Sequence, residues 1–232
     1  MNEQWISVKS SDGFAIDVFV MRPEVPAKAA VVVGMEIFGV NSHIQEVCKR
    51  LAGEGYVAIA PQLFDRIQKN VDMGYSAEEV AHGKALKQQA EDGLQAVIAS
   101  DIQACIDWAY DHEGVNKVGM MGFCWGGLNT WRAAQHAQSL WAAICYYGGG
   151  MVAENELADK SVAPVLAHFS DNDATTPPDG ITTLRERYGE KAVVYEYPAA
   201  HGFNCDQRGA YNQGAAEVAW QRSLAFLRMC LQ

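Results

Sequence analysis

The sequence predicts an α/β architecture: one doubly wound, mostly parallel sheet with helices on both faces. Three observations predict it. Short β-branched runs alternate with longer stretches of helical spacing along most of the chain. Several of those runs, 29–33 first among them, are apolar without alternation, as strands covered on both faces read. The 232 residues are also 49% hydrophobic and 20% charged, which supplies a large core and excludes a mainly disordered chain.

Residues 6–9 and 14–20 read as an antiparallel pair. After the buried strand 29–33, residues 42–52 place Ile44, Val47, Cys48 and Leu51 at helical spacing before a turn at 53–55. Residues 56–60 then run to Pro61 and complete a βαβ unit. Residues 64–83 lack a clean period and carry Asp65, Arg66, Lys69, Asp72 and Gly74, so they are expected to form a long excursion with broken helix. Such excursions often line sites. A helix over 90–110 carries Leu94, Val97, Ile98, Ile102, Ile106 and Trp108. Further strands are expected at 117–122, 142–147, 165–170 and 193–197, with helices at 126–136, 179–188 and 213–229. With no internal repeat and no linker rich in Pro, Gly and Ser, residues 1–232 read as one domain.

Acidic residues outnumber basic ones 28 to 18, a net charge of −10, so neither nucleic acid nor an anionic membrane surface is an expected partner. No apolar stretch approaches the ~20 residues of a membrane span, and the opening MNEQWISVKS lacks the pattern of a secretion signal. The six cysteines show no C-x-x-C spacing, so no zinc site, no disulfide framework and a reducing cytoplasm are expected. A small molecule is the expected partner, bound by a monomer or simple homodimer.

The sharpest motif is Gly122-Phe123-Cys124-Trp125-Gly126-Gly127, between a predicted strand and a predicted helix. Glycines two residues either side of a nucleophile allow a tight turn that pushes the middle side chain outward. Here that side chain is a thiol, set near a helix N-terminus that favours thiolate, with the Trp125 N–H aimed at its target. The alternative is a buried structural cysteine; its position and flanking glycines favour a nucleophile. A base and an orienting acid should follow at later strand ends. The acid-rich turn at 171–173 offers Asp171 and Asp173, between which the residues alone do not choose, and His201-Gly202 closes the next strand as the base candidate. His43, His82, His112 and His136 read as surface or core groups, and His168, inside a strand, as structural.

These segments, with Met35-Glu36-Ile37-Phe38-Gly39-Val40-Asn41, residues 55–61 and Ala200-His201-Gly202-Phe203, resemble the dienelactone hydrolases (carboxymethylenebutenolidases) over nearly the whole chain. The resemblance implies an α/β-hydrolase fold, a three-layer sandwich about an eight-stranded sheet. It implies Cys124 as nucleophile, His201 as base, Asp173 as the triad acid four residues before Pro177, and Glu36 as the carboxylate governing thiolate formation. The Ile37 and Trp125 N–H groups would form the oxyanion hole. It implies hydrolysis of lactones or small carboxylic esters through a thioester, with no cofactor and no metal.

The two arginines with which the family holds anionic substrates are unmatched. Cys205 stands four residues beyond His201, and Lys84 and Lys87, but no arginine, follow Arg66 in the middle excursion. Lysine does not reproduce a guanidinium's two-point contact. Arg208 is expected either to reach the pocket or, by preference, to pair with an acid such as Glu217 and hold the C-terminal helix. Phe38, Tyr75, Phe123, Trp125 and Phe203 are candidates to line a pocket for an uncharged ester. Three other activities share this sequence: a promiscuous esterase acting on neutral esters or activated phosphoesters, an acyl transferase or thioesterase, and a silent scaffold that binds a small ligand.

Overall fold

The computed structural model describes residues 1–157 and 163–232. Its eight strands are β1 (Asn2–Lys9), β2 (Ala15–Arg22), β3 (Ala29–Gly34), β4 (Tyr56–Pro61), β5 (Val118–Phe123), β6 (Leu140–Tyr146), β7 (Val165–Asn172) and β8 (Ala192–Ala200). They form one sheet in the order β1-β2-β4-β3-β5-β6-β7-β8. β1 pairs antiparallel with β2, and β2 with β4; every later pairing is parallel. β3, β4 and β5 are buried at every position, which is why their sequences are apolar without alternation.

The helices are α1 (Ser42–Gly53), α2 (Ala77–Glu91), α3 (Gln95–His112), α4 (Trp125–His136), α5 (Pro178–Tyr188) and α6 (Gln213–Leu231). Successive residues of a strand face opposite sides of the sheet. Gly122 abuts α4 and Gly119 abuts Leu231 of α6, so these two helices lie on opposite faces of β5. α1 joins α6, with the Arg50 guanidinium 3.8 Å over the Trp220 ring. α5 joins α4 through an edge-to-face contact of Trp131 and Tyr188 at 4.8 Å. Among the described residues no helix is long and apolar enough to cross a membrane.

The middle of the chain departs from expectation. Its excursion is loop only to residue 76, where Ser76 and Glu79 form a reciprocal capping box that starts α2. The expected single helix over 90–110 is divided: α2 ends at Glu91, and α3 begins at Gln95 after Asp92-Gly93. Ser76-x-x-Glu79 was a readable start signal, but α2 has only three buried residues and so little apolar period to reveal it.

Strand order reverses at β3, whose successor along the chain lies on one side while β5 lies on the other. Ligands of doubly wound sheets bind at the carboxyl ends of strands flanking such a reversal.

Candidate active site

Cys124 occupies the one residue between β5 and α4, half-buried, with φ 55° and ψ −116°. That backbone region is sparsely populated for a residue with a Cβ, and strain of this kind persists only where the surroundings impose it. Two backbone bonds impose it here: the Cys124 N–H donates to the Tyr146 carbonyl at 3.0 Å, and the Cys124 carbonyl accepts from Leu128 N–H at 3.2 Å. A Cβ on Gly122 would collide with the Gly126 carbonyl, and one on Gly126 with the carbonyls of Gly34 and Met35. The two glycines therefore bring the start of α4 against the end of β3, which sets Glu36 and Ile37 beside the elbow. Trp125 is the first residue of α4, so its N–H has no carbonyl a turn earlier to bond.

His201 follows β8, and Asp173 follows β7. The parallel pairing of these strands brings the two loops together, and His201 Nδ1 donates to Asp173 Oδ2 at 2.6 Å. The other oxygen of Asp173 accepts from the Thr175 N–H at 2.9 Å and hydroxyl at 2.6 Å. Burial opposes ionisation of Asp173, but these bonds and the His201 charge hold its carboxyl below the usual range. Burial likewise opposes the imidazolium of His201. The charge of Cys124, the Asp173 bond and a hydrogen bond with the Cys124 sulfur outweigh it and push His201 up to about 10. Asp171 points elsewhere: it is exposed and accepts from Ala199 N–H at 3.2 Å.

Glu36 is 1% exposed. Its Oε1 accepts from Arg208 Nη1 at 3.1 Å, while Oε2 has no hydrogen-bond partner among the described residues. The Arg208 guanidinium also lies 5.7 Å over the rings of both Phe38 and Tyr75. This corrects the preferred reading of Arg208, since Glu217 instead accepts from Gln213 at 2.8 Å. The room for Arg208 comes from Gly202, at φ 88°, where any side chain would strike the guanidinium.

Phe38 and Tyr75 meet edge to face at 4.7 Å, and the Tyr75 hydroxyl is hydrogen-bonded to Cys205 Sγ at 3.2 Å and Asn41 Nδ2 at 3.1 Å. Phe123 and Phe203 are fully buried. Phe123 stacks on Tyr146 at 4.7 Å and Phe203 packs against Tyr147 and Tyr197, so both are core under the site and not walls of an open pocket. Lys84 is exposed on α2, outside this cluster. His168 holds the sheet interior, bonded to the Tyr197 hydroxyl at 2.8 Å and Ser223 Oγ at 3.0 Å.

Several neighbours were invisible to sequence reasoning. The Trp125 ring stacks on Phe64 at 4.7 Å and donates to Glu91 Oε1 at 2.7 Å, and Arg132 bridges Glu91 and Glu156. This network anchors the first turn of α4. His43 and Tyr147 are buried beside Glu36, each with a polar atom lacking a partner among the described residues. No local motif marks either. A cavity of about 680 Å³ lies between α3 and α4, lined by residues such as Gln103, Arg132 and Gln135, and contains none of Cys124, Asp173 and His201.

The sheet order and the strand–cysteine–helix elbow are those of the α/β-hydrolase fold. The family model of the dienelactone hydrolase family matches residues 16–231, and the chain belongs to that family. It is similar to a protein of Synechocystis sp. described as "Putative carboxymethylenebutenolidase", 37% identical over 206 residues that cover 83% of this chain and 82% of the relative. A protein of the same description from Escherichia coli K12 is 35% identical over 211 residues, 85% of this chain and 76% of the relative. Among solved structures, a "Putative Dienelactone Hydrolase" of Klebsiella pneumoniae superposes with a TM-score of 0.84 at 32% identity, over 98% of each chain. A dienelactone hydrolase-like promiscuous phosphotriesterase from metagenomic libraries shares the fold, with a TM-score of 0.80 at 21% identity over all of both chains.

Proposed function

We propose that this protein is a cysteine-dependent hydrolase of lactones or small carboxylic esters, working through a thioester acyl-enzyme. The observation that carries the reading is the His201–Asp173 bond of 2.6 Å at the carboxyl end of the sheet that carries the strand–Cys124–helix elbow. An imidazole held by that carboxylate and raised by its neighbours is suited to take the thiol's proton and leave the thiolate, the form in which the sulfur attacks.

The Cys124 sulfur adds to the ester or lactone carbonyl, and the N–H groups of Trp125 and Ile37 receive the oxyanion; losing one such donor typically costs about a hundredfold or more in rate. As the carbonyl re-forms, the C–O bond breaks and the His201 imidazolium gives its proton to the departing oxygen. Acylation also removes the sulfur's negative charge, the strongest influence raising His201. The now neutral imidazole, held in one tautomer by Asp173, takes a proton from water as that water attacks the thioester. Collapse expels the sulfur as thiolate, the carboxylic acid leaves, and His201 is again protonated. With a lactone the leaving oxygen stays tethered to the acyl group through both steps, and the product is a single hydroxy or enol acid.

Two substitutions test the reading with a nitrophenyl acetate as substrate. Cys124→Ala is expected to abolish turnover, by about a thousandfold or more, with an unchanged circular dichroism spectrum. Asp173→Asn is expected to slow turnover by about 10⁴-fold, against a few-fold for Asp171→Asn. Retained activity in Cys124→Ala removes the nucleophile, and the reverse order of the aspartate variants reassigns the acid.

A further inference from the structure

Beside Cys124, but formed by other side chains, is a closed group of three metal-ligating residues. One ligand atom from each of Glu36, His43 and Cys205 lies within 4.8 Å of the other two, and all three residues are buried. Buried polar atoms are normally hydrogen-bonded, and exceptions call for an explanation. Here two of them, Glu36 Oε2 and His43 Nε2, have no partner among the described residues. The sequence spacing gave no hint, because the three come from the β3–α1 loop, from α1 and from the loop after His201.

We propose that Glu36, His43 and Cys205 form a binding site for a zinc ion, with water as the fourth ligand. A thiolate, an imidazole and a carboxylate suit zinc and not magnesium or calcium, which take oxygen ligands. Tetrahedral zinc holds its ligand atoms about 3.3–3.8 Å apart, so the group, whose ligand atoms lie within 4.8 Å of one another, needs to close by no more than about 1.5 Å. The surrounding groups already act as an outer shell. Arg208 takes Oε1 of Glu36 and leaves Oε2 for the metal. Cys205 Sγ now donates to the Tyr75 hydroxyl at 3.2 Å. On metal binding the thiol releases its proton to solvent and that hydroxyl turns to donate to the sulfur. Of the three ligands His43 also lines a surface cavity of about 260 Å³, whose charged lining is the exposed acids Glu46, Asp206 and Glu217 against the single base Arg50, a balance that attracts a cation.

Metal binding itself does not depend on the proposed reaction; its consequence does. Zinc would neutralise the Glu36 carboxylate, so the site would let zinc move the pH dependence of hydrolysis to lower pH, in the same direction as Glu36→Gln.

The test uses Cys124→Ala protein, because Cys124 and His201 offer zinc a second thiolate–imidazole pair. Titration against a chromophoric chelator is expected to show one zinc site per chain in Cys124→Ala. Affinity should weaken at least about tenfold when Cys205→Ala or His43→Gln is added. Cobalt loading of Cys124→Ala should produce a thiolate-to-cobalt charge-transfer band that Cys205→Ala removes. The proposal is overturned by any of three results: no stoichiometric binding, equal affinity in the double variants, or a cobalt complex of Cys124→Ala without the thiolate band. The last needs no folded double variant. Zinc inhibition of the unsubstituted enzyme without zinc binding by Cys124→Ala would put the ion on the catalytic pair and equally overturn it. Binding as expected with the pH dependence of hydrolysis unaffected by zinc sustains the site and separates Glu36 from thiolate formation instead.

Discussion

At the residue scale, the charge balance around Cys124 rests on Glu36 and Arg208. Glu36 is buried with one oxygen on Arg208, and Arg208 is held charged, against its burial, by Glu36 first and by Cys124 among others. A buried carboxylate disfavours a second anion nearby, while a released guanidinium favours it. Both effects act in one direction in Glu36→Gln, so the pH dependence of Cys124 alkylation is expected to move to lower pH. Mass spectrometry can follow this sulfur separately: Cys48, Cys105, Cys145 and Cys205 are buried, and the partly exposed Cys230 lies on a different tryptic peptide. An unchanged profile would separate Glu36 from thiolate formation.

At the scale of elements, the site depends on how closely α4 approaches β3. The contact is backbone on backbone, between Gly126 and the carbonyls of Gly34 and Met35. Backbone cannot rotate out of the way as a flexible side chain does. Gly126→Ala is therefore expected to push the helix start outward, at a cost of about 1–3 kcal/mol in stability. The same displacement moves the Trp125 N–H off the oxyanion, so kcat should fall by about tenfold or more. Thermal unfolding and steady-state kinetics on one preparation check both effects, and normal values for both would deny the glycine its role. The Trp125–Glu91–Arg132 network also holds this helix start, a link between the end of α2 and the elbow.

At the scale of the whole molecule, two histidines set opposite limbs of the stability–pH curve. Burial, with a smaller contribution from Arg222, holds His168 down at about 3. The unfolded chain therefore takes up a proton that the folded interior refuses, and stability falls as pH drops from about 6.5 towards 3. Asp173, held below its ordinary value of 3.8, adds to this acid limb only at its lower end. His201 behaves in the opposite sense. Raised to about 10, it contributes fully below pH 6.5 and loses that contribution as pH rises from 6.5 to about 10. Urea midpoints are accordingly expected to peak near pH 6.5. Because Cys124 is the strongest influence raising His201, Cys124→Ala should flatten the alkaline limb and leave the acid limb in place. Equal alkaline slopes in the two proteins would count against the ion pair.

What the sequence by itself determined is whatever local pattern encodes. Continuous apolar runs specified the buried strands, the spaced glycines specified the elbow, and chain order singled out Cys124 and His201 as the candidate pair. Between Asp171 and Asp173 the local chemistry is the same; the resemblance alone favoured Asp173, four residues before Pro177, and the β7–β8 pairing is what physically brings that carboxylate to the imidazole. The path of Arg208 back to Glu36, and the meeting of Glu36 with His43 and Cys205, belong to the tertiary structure alone. Their partners are separated by long stretches of chain, and a contact between distant segments leaves no periodicity or spacing in either of them.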